Sequence, residues 1–292
     1  MKIDNVIFCA SEYYAPFWNI QSRVWKTKFG INPILLLFSD KSSSELNLSE
    51  KYGQIVPQKF ISGLPDIIQI QFKKFWYPSN DPDKTYIIGD IDQIPLQTSH
   101  FLSNLDSVDD DAYAHFNYSL CSQMMGIDRS VAGNIYSSRG GYVNGGFDLP
   151  GHYHCAKGKY YRDIYFKDKS FEEVIQSVIS SNRYGMIKQE EQKNLNMNIH
   201  GTFWVAEEMY TSEYLWYAYR SKVIKGLYFK DYHIWDGKID RVGRFGNQWN
   251  GKNYVYDDSK LRNGGYVDIH CHRPYHEQEK SLMEVLEKSQ MI

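Results

Sequence analysis

Short, unbroken apolar runs alternate with amphipathic stretches through the first third of the chain. Residues 5–10 (NVIFCA), 34–38 (ILLLF) and 85–89 (TYIIG) are each long enough for one strand. Their uniform apolarity predicts strands buried on both faces. Between them, residues 16–29 place Phe17, Ile20 and Val24 on one helical face, with Pro16 in the first turn and Gly30 as the stop. Residues 65–76 do the same with Ile67, Ile68, Phe72 and Phe75. The serines at 42–44 and the PSNDPD segment after Tyr77 read as loop and turn. Strands alternating with helices predict a parallel sheet with crossover connections.

Farther along, the pattern is less regular. Residues 111–118 alternate Ala112, Ala114 and Phe116 as a strand would, and residues 140–151 have a glycine-rich, strand–turn composition. Phe171, Val174, Ile175, Val178 and Ile179 form an amphipathic helical stripe. Helices are also expected near residues 205–221 and 278–290. No internal repeat or linker divides the chain. One domain with two lobes is expected, covering about residues 1–118 and 119–292.

Composition narrows the possible functions. With 42% hydrophobic and 23% charged residues, the chain can bury a sizeable core. A net charge of −2 leaves no electrostatic footprint for nucleic acid or an anionic membrane. An anionic ligand must therefore be held by local groups or by a metal. Cys9, Cys121, Cys155 and Cys271 are scattered with no CxxC pair, which suits a reducing compartment. The early apolar run is too short for a signal peptide, and no stretch approaches the ~18 apolar residues of a membrane span. A cytoplasmic location is expected. The outlier is aromatic content, with 24 Tyr, 15 Phe and 7 Trp. Such rings suit stacking on sugars, and ordinary core filling accounts for them as well.

The chemistry centres on an Asp-x-Asp spacing. It occurs at Asp81/Asp83, Asp90/Asp92 and Asp109/Asp111, but only Asp90 and Asp92 follow directly on a buried strand. The C-terminal end of such a strand is where open α/β sheets bind ligands. Gly89 permits close backbone approach. Two carboxylates one residue apart can reach a single hard cation and leave positions for diphosphate oxygens. A solvated turn is the ordinary alternative. If VDIHCHR (residues 267–273) is a strand, His270 and His272 share one face, and either imidazole could join a metal. Arg273 suits a leaving diphosphate or, equally, a salt bridge. His152, His154 and Cys155, taken with Cys271, match no common zinc spacing, so zinc is not expected.

IFCASEYY (residues 7–14), TYIIGDIDQIPL (85–96) and His270, His272 and Arg273-Pro274-Tyr275 together resemble the metal-dependent GT-A glycosyltransferases. The resemblance spans the chain through short motifs, specific for the superfamily rather than for a substrate. It implies a GT-A type α/β fold: a Rossmann-like mixed, mostly parallel central sheet flanked by helices, with a smaller acceptor-side lobe. It also implies a UDP-linked nucleotide-sugar donor, Mn²⁺ or Mg²⁺ as cofactor, and a glycan or other hydroxyl acceptor. By position, Ala10, Ser11, Glu12 and Tyr13 would meet the base and ribose. Asp90, Ile91 and Asp92 would meet the ribose and metal, and His270, or else His272, would complete the metal sphere. Asn144, Gly145, Gly146, Asp148 and His152 would contact the transferred sugar, and Arg273 the diphosphate.

Inverting transfer needs a carboxylate to take the acceptor proton. The acidic pair Glu207-Glu208 opens a late helix, as the base does in many inverting relatives, and Glu208 is preferred. Neighbouring helical residues point ~100° apart, so only one of the two faces a site. The helix dipole alone also favours such a pair. In a retaining enzyme Asp148 would be the residue to test.

Two rivals belong to other classes. A sugar-nucleotidyltransferase normally opens with a glycine-rich loop, and residues 5–16 contain no glycine. A non-catalytic sugar-binding protein on the same fold would not need Asp90, Asp92, Glu207/Glu208 and His270/His272 together.

Overall fold

The computed structural model describes residues 1–103, 105–116, 151, 153–181, 206–229, 240–243 and 249–292. Asn144, Gly145, Gly146, Asp148 and His152 lie outside the described residues. In chain order the strands are β1 (Asn5–Ser11), β2 (Asn32–Phe38), β3 (Gln54–Gln58), β4 (Thr85–Ile88), β5 (Gln93–Pro95), β6 (Ala112–His115), β7 (His154–Lys157), β8 (Gly226–Phe229), β9 (Asp240–Gly243) and β10 (Tyr266–His270). The longer helices are α1 (Trp18–Val24), α2 (Asp66–Trp76), α3 (Phe171–Ser180), α4 (Ala206–Arg220) and α5 (Tyr275–Lys288). Seven strands form a mixed, mostly parallel central sheet flanked by helices, and three form a small second sheet. The α/β class expected from the apolar pattern is the one found.

The chain divides into two compact units. One comprises Met1–Lys59, Gly89–Val108 and Asp231–Ile292; the other comprises Phe60–Ile88 and Asp109–Lys230. This interleaved partition differs from lobes divided near residue 118.

In the first unit the central strands run β3-β2-β1, all parallel. β1 and β2 are buried along nearly their whole length, which is why their sequences are continuous apolar runs. The helix expected over residues 16–29 is instead a series: a 3₁₀ turn at Ala15–Phe17, then α1, then a π-helical turn at Trp25–Phe29. Gly30 ends it at φ 70°, donating its N–H to the Trp25 carbonyl, a left-handed cap that glycine takes without strain. β3 was not legible. Only Ile55 of its five residues is buried, and Pro57 suits a strand with a single neighbour. The small sheet runs β5-β10-β9, with β10 antiparallel to β5 and parallel to β9.

In the second unit the order is β4-β7-β6-β8, with β7 antiparallel to both its neighbours. Behind these strands lies an aromatic core. The Tyr165 hydroxyl donates to the Tyr113 hydroxyl at 2.8 Å, and the latter meets His154 Nδ1 at 3.0 Å. The Tyr161 hydroxyl reaches the carbonyls of Tyr86 and His154 at 3.0 Å each. Tyr113, Tyr161 and Phe75 are fully sealed from solvent, and burial pushes both phenols well above their ordinary pKa. These rings are core, not sugar platforms. α3 begins with a capping box, in which the Ser170 side chain accepts from the Glu173 N–H and Glu173 reaches back to the Ser170 N–H.

Asp111, just before β6, ties this unit together from outside. Its carboxylate meets Lys159 Nζ at 2.9 Å and Lys225 Nζ at 3.0 Å. The two ammonium groups, with the Tyr160 hydroxyl, hold the carboxyl well below the usual range. A depressed carboxylate contributes stability above its unfolded pKa of about 3.9 and loses it as pH falls toward the folded value. Asp111→Asn is therefore expected to lower unfolding free energy at pH 7, with a gap to wild type that narrows below pH ~4. Urea titrations at several pH values check this; a gap constant with pH would refute it.

Candidate active site

The β4-to-β5 connection carries Asp90 and Asp92. Gly89 is required just ahead of them because a Cβ there would collide with the buried Phe8 ring, and its N–H donates to the Ile7 carbonyl at 2.8 Å. The Gln93 N–H donates to the Asp90 carbonyl at 3.1 Å, closing a tight turn. Asp92 is 7% exposed. Its Oδ2 lies 3.7 Å from His270 Nε2 and 3.6 Å from Arg273 Nε. Side chains from two distant parts of the chain, residues 92 and 270–273, thus meet at one carboxylate oxygen. The Cys271 N–H donates to the Asp92 carbonyl at 2.7 Å and locks the segment after β10 to the turn.

His272 behaves differently. β10 ends at His270, so the expected common face for the two histidines does not form. His272 stacks on Trp249 with centroids 4.2 Å apart, and its N–H donates to the Tyr254 hydroxyl at 2.8 Å. Of the two, His270 faces the aspartate.

At the end of β1, Ala10 is buried and Tyr13 is 54% exposed. Tyr13 packs edge-on against Tyr14, and the Arg273 guanidinium lies 5.0 Å from the Tyr14 ring centroid. Burial draws the Arg273 guanidinium below its ordinary pKa. Glu12 accepts from the Ser39 hydroxyl at 2.7 Å and pairs with Lys41 at 2.6 Å, and these contacts lower its pKa. In this arrangement Glu12 is held by protein groups, while Tyr13 stays half-exposed.

The second unit holds the acidic pair in the first turn of α4. Glu207 is 5% exposed and pairs with the equally buried Lys74 of α2 at 3.0 Å. Gly151 packs so tightly against its carboxylate that a Cβ there would overlap it. Glu208 is partly exposed. The two neighbours therefore differ in role: Glu207 is tied into the interior, and Glu208 retains access to solvent.

Several residues of this site escaped sequence reasoning. Gln21, Arg241 and Asp268 surround the Asp-x-Asp turn, with Arg241 donating to Asp268 at 2.5 and 2.6 Å. Gln21 left a readable signal, a polar residue among Phe17, Ile20 and Val24 on the buried face of α1. Arg241 and Asp268 left none, because only β9–β10 pairing brings them together.

No protein-family model and no curated protein matches the sequence. Among solved structures, an active-site mutant of LgtC gives a TM-score of 0.47 at 12% identity, over 92% of this chain and 88% of that one. The galactosyltransferase LgtC with donor and acceptor sugar analogs gives 0.45 at 12% identity, over 99% and 96%. The apo bifunctional glycosyltransferase WbbM gives 0.41 at 12% identity, over 98% and 49%. Scores and identities this low carry no weight for function, which rests on the residues themselves.

The donor chemistry at Asp92 suits a hard divalent cation: carboxylate oxygens from one turn and an imidazole nitrogen. Among the described residues, no group of three or more His, Cys, Asp or Glu side chains gathers closely enough to hold a metal by itself. Mg²⁺-type sites often use only one or two protein carboxylates and complete their shell with phosphate oxygens and water. The residues present fit a cation of that substrate-completed kind.

Proposed function

We propose that this chain is a GT-A type glycosyltransferase that moves a sugar from a UDP-linked donor to a hydroxyl of a glycan or similar acceptor. One observation carries the reading: a buried strand-end aspartate, Asp92, with an imidazole and a guanidinium both within 3.7 Å. Asp92 and His270, with Asp90 from the same turn, would hold Mn²⁺ or Mg²⁺. When bound, that ion would supply Lewis-acid neutralisation of the departing nucleotide diphosphate. Arg273, planar and weakly hydrated, would add a second positive group for the same oxygens. Tyr13, with Ala10, Ser11 and Glu12, would receive the base and ribose beside Ile91. Asn144, Gly145, Gly146 and Asp148 are assigned to the sugar. Glu208 would accept the acceptor proton in an inverting transfer, since the task needs reach rather than an unusual pKa.

No helix among the described residues is long and apolar enough to cross a membrane. A donor of this kind is anionic, and a chain of net charge −2 would hold it through local groups such as Arg273 and the bound cation. A thermal-shift panel of UDP-sugars with and without Mn²⁺ tests the reading. A ligand at 100 times its Kd adds about 2.7 kcal/mol to the folded state, a shift of several degrees for a chain of this size. The shift is expected only when Mn²⁺ and a nucleotide-sugar are present together. An unchanged melt with every nucleotide-sugar would refute the proposal and favour a non-catalytic protein.

A further inference from the structure

Resting on the reading of Asp90 and Asp92 as the cation site, we infer that Gln21 and Gln93, the latter braced by Arg241, are positioning residues that hold the Asp-x-Asp turn ready for the ion. Each backbone carbonyl of the turn has an identifiable donor. That of Asp92 accepts from the Cys271 N–H at 2.7 Å. Gln21 Nε2 lies 3.3, 3.2 and 2.6 Å from the carbonyl oxygens of Asp90, Ile91 and Gln93. One fully buried amide, with two N–H groups, thus lies within reach of three carbonyls, of which that of Asp90 also accepts from the Gln93 N–H while those of Ile91 and Gln93 rely on Gln21 to replace lost hydration. Its orientation is fixed by chemistry. The Trp25 indole N–H, which can only donate, meets Gln21 Oε1 at 3.1 Å, so Nε2 must face the turn.

A second amide orients the Asp90 side chain. Gln93 Nε2 donates to Asp90 Oδ2 at 3.1 Å, while Gln93 Oε1 accepts from Arg241 Nη2 at 3.0 Å. A guanidinium is also donor-only, so this amide cannot flip either. Arg241 is held in turn by its two-pronged pairing with Asp268, which is wholly buried. The chain Asp268–Arg241–Gln93–Asp90 aims a carboxylate with a neutral donor. A lysine in the place of Gln93 would aim it too, but would cancel the charge that a cation needs. Groups that orient metal ligands in this manner are worth 10–100-fold in metal affinity.

The test is a Mn²⁺ titration of the full chain with UDP present, followed by the electron paramagnetic resonance signal of free Mn²⁺. Gln93→Met and Gln21→Met are each expected to weaken Mn²⁺ binding by about 10–100-fold. Val24→Ala, which trims a fully buried apolar side chain of α1 and removes no hydrogen bond to the turn, provides a destabilised control with wild-type Mn²⁺ affinity. Unchanged affinity in Gln93→Met overturns the inference, and that variant decides alone if Gln21→Met does not fold. An affinity loss in Val24→Ala equal to theirs overturns it as well, by showing that lowered stability suffices. If wild-type protein binds no Mn²⁺, or Asp92→Ala binds it normally, the cation site itself is refuted, a result distinct from loss of the positioning role.

Discussion

Asp92→Ala is expected to lower sugar transfer by about 1,000-fold or more, because charge stabilisation by a bound cation supplies several kcal/mol at the transition state. The carboxylate it removes lies between His270 and Arg273 at 3.7 and 3.6 Å. Of the three proposed protein ligands, the ion would keep only Asp90 and His270. The loss should appear both in release of UDP from the donor and in direct Mn²⁺ binding. Melting temperature is the control for folding. A variant that retains wild-type turnover would remove the central residue of the proposed mechanism. Asp83→Ala, from another Asp-x-Asp spacing, is expected to keep full activity, since it lies in the turn before β4 and not on its C-terminal end.

The second large effect separates Glu207 from Glu208. Lys74 and Glu207 are a buried pair, each 5% exposed, with 3.0 Å between charged atoms. Removing one partner leaves the other's charge in the interior, which typically costs about 3–5 kcal/mol. Glu207→Gln and Lys74→Met are each expected to show that loss in urea unfolding, and the double variant is expected to recover much of it. Glu208→Gln is expected to leave stability close to wild type while turnover falls about 100- to 10,000-fold, the range associated with loss of a general base. The opposite pattern, a stable but inactive Glu207→Gln beside an active Glu208→Gln, would transfer the role of base to Glu207.

Legibility followed burial. β1, β2 and β4 were readable because strands covered on both faces must be apolar throughout. α3 was readable from its stripe, and its capping box at Ser170 and Glu173 marks its start a second time in the sequence. β7 was hidden because His154 and Lys157 break the apolar run, although His154 is fully buried against Tyr113. β5 was hidden by its length of three residues, and β9 because its sequence DRVG holds a single apolar residue, Val242. At the site, Asp90, Asp92, His270 and Arg273 could be proposed from residue type and local setting, yet nothing local distinguished His270 from His272.

By itself the order of residues determined the α/β class, the strand end that bears Asp90 and Asp92, and the candidate carboxylates. Those are local properties, written in hydrophobic period and in neighbours along the chain. Only tertiary structure decided that His270 turns toward Asp92 while His272 stacks on Trp249, that Glu207 is neutralised by Lys74, and that Gln21 supports the turn. Each of these depends on contacts between residues far apart in sequence, where packing and desolvation choose among side chains that look equivalent in a one-dimensional pattern.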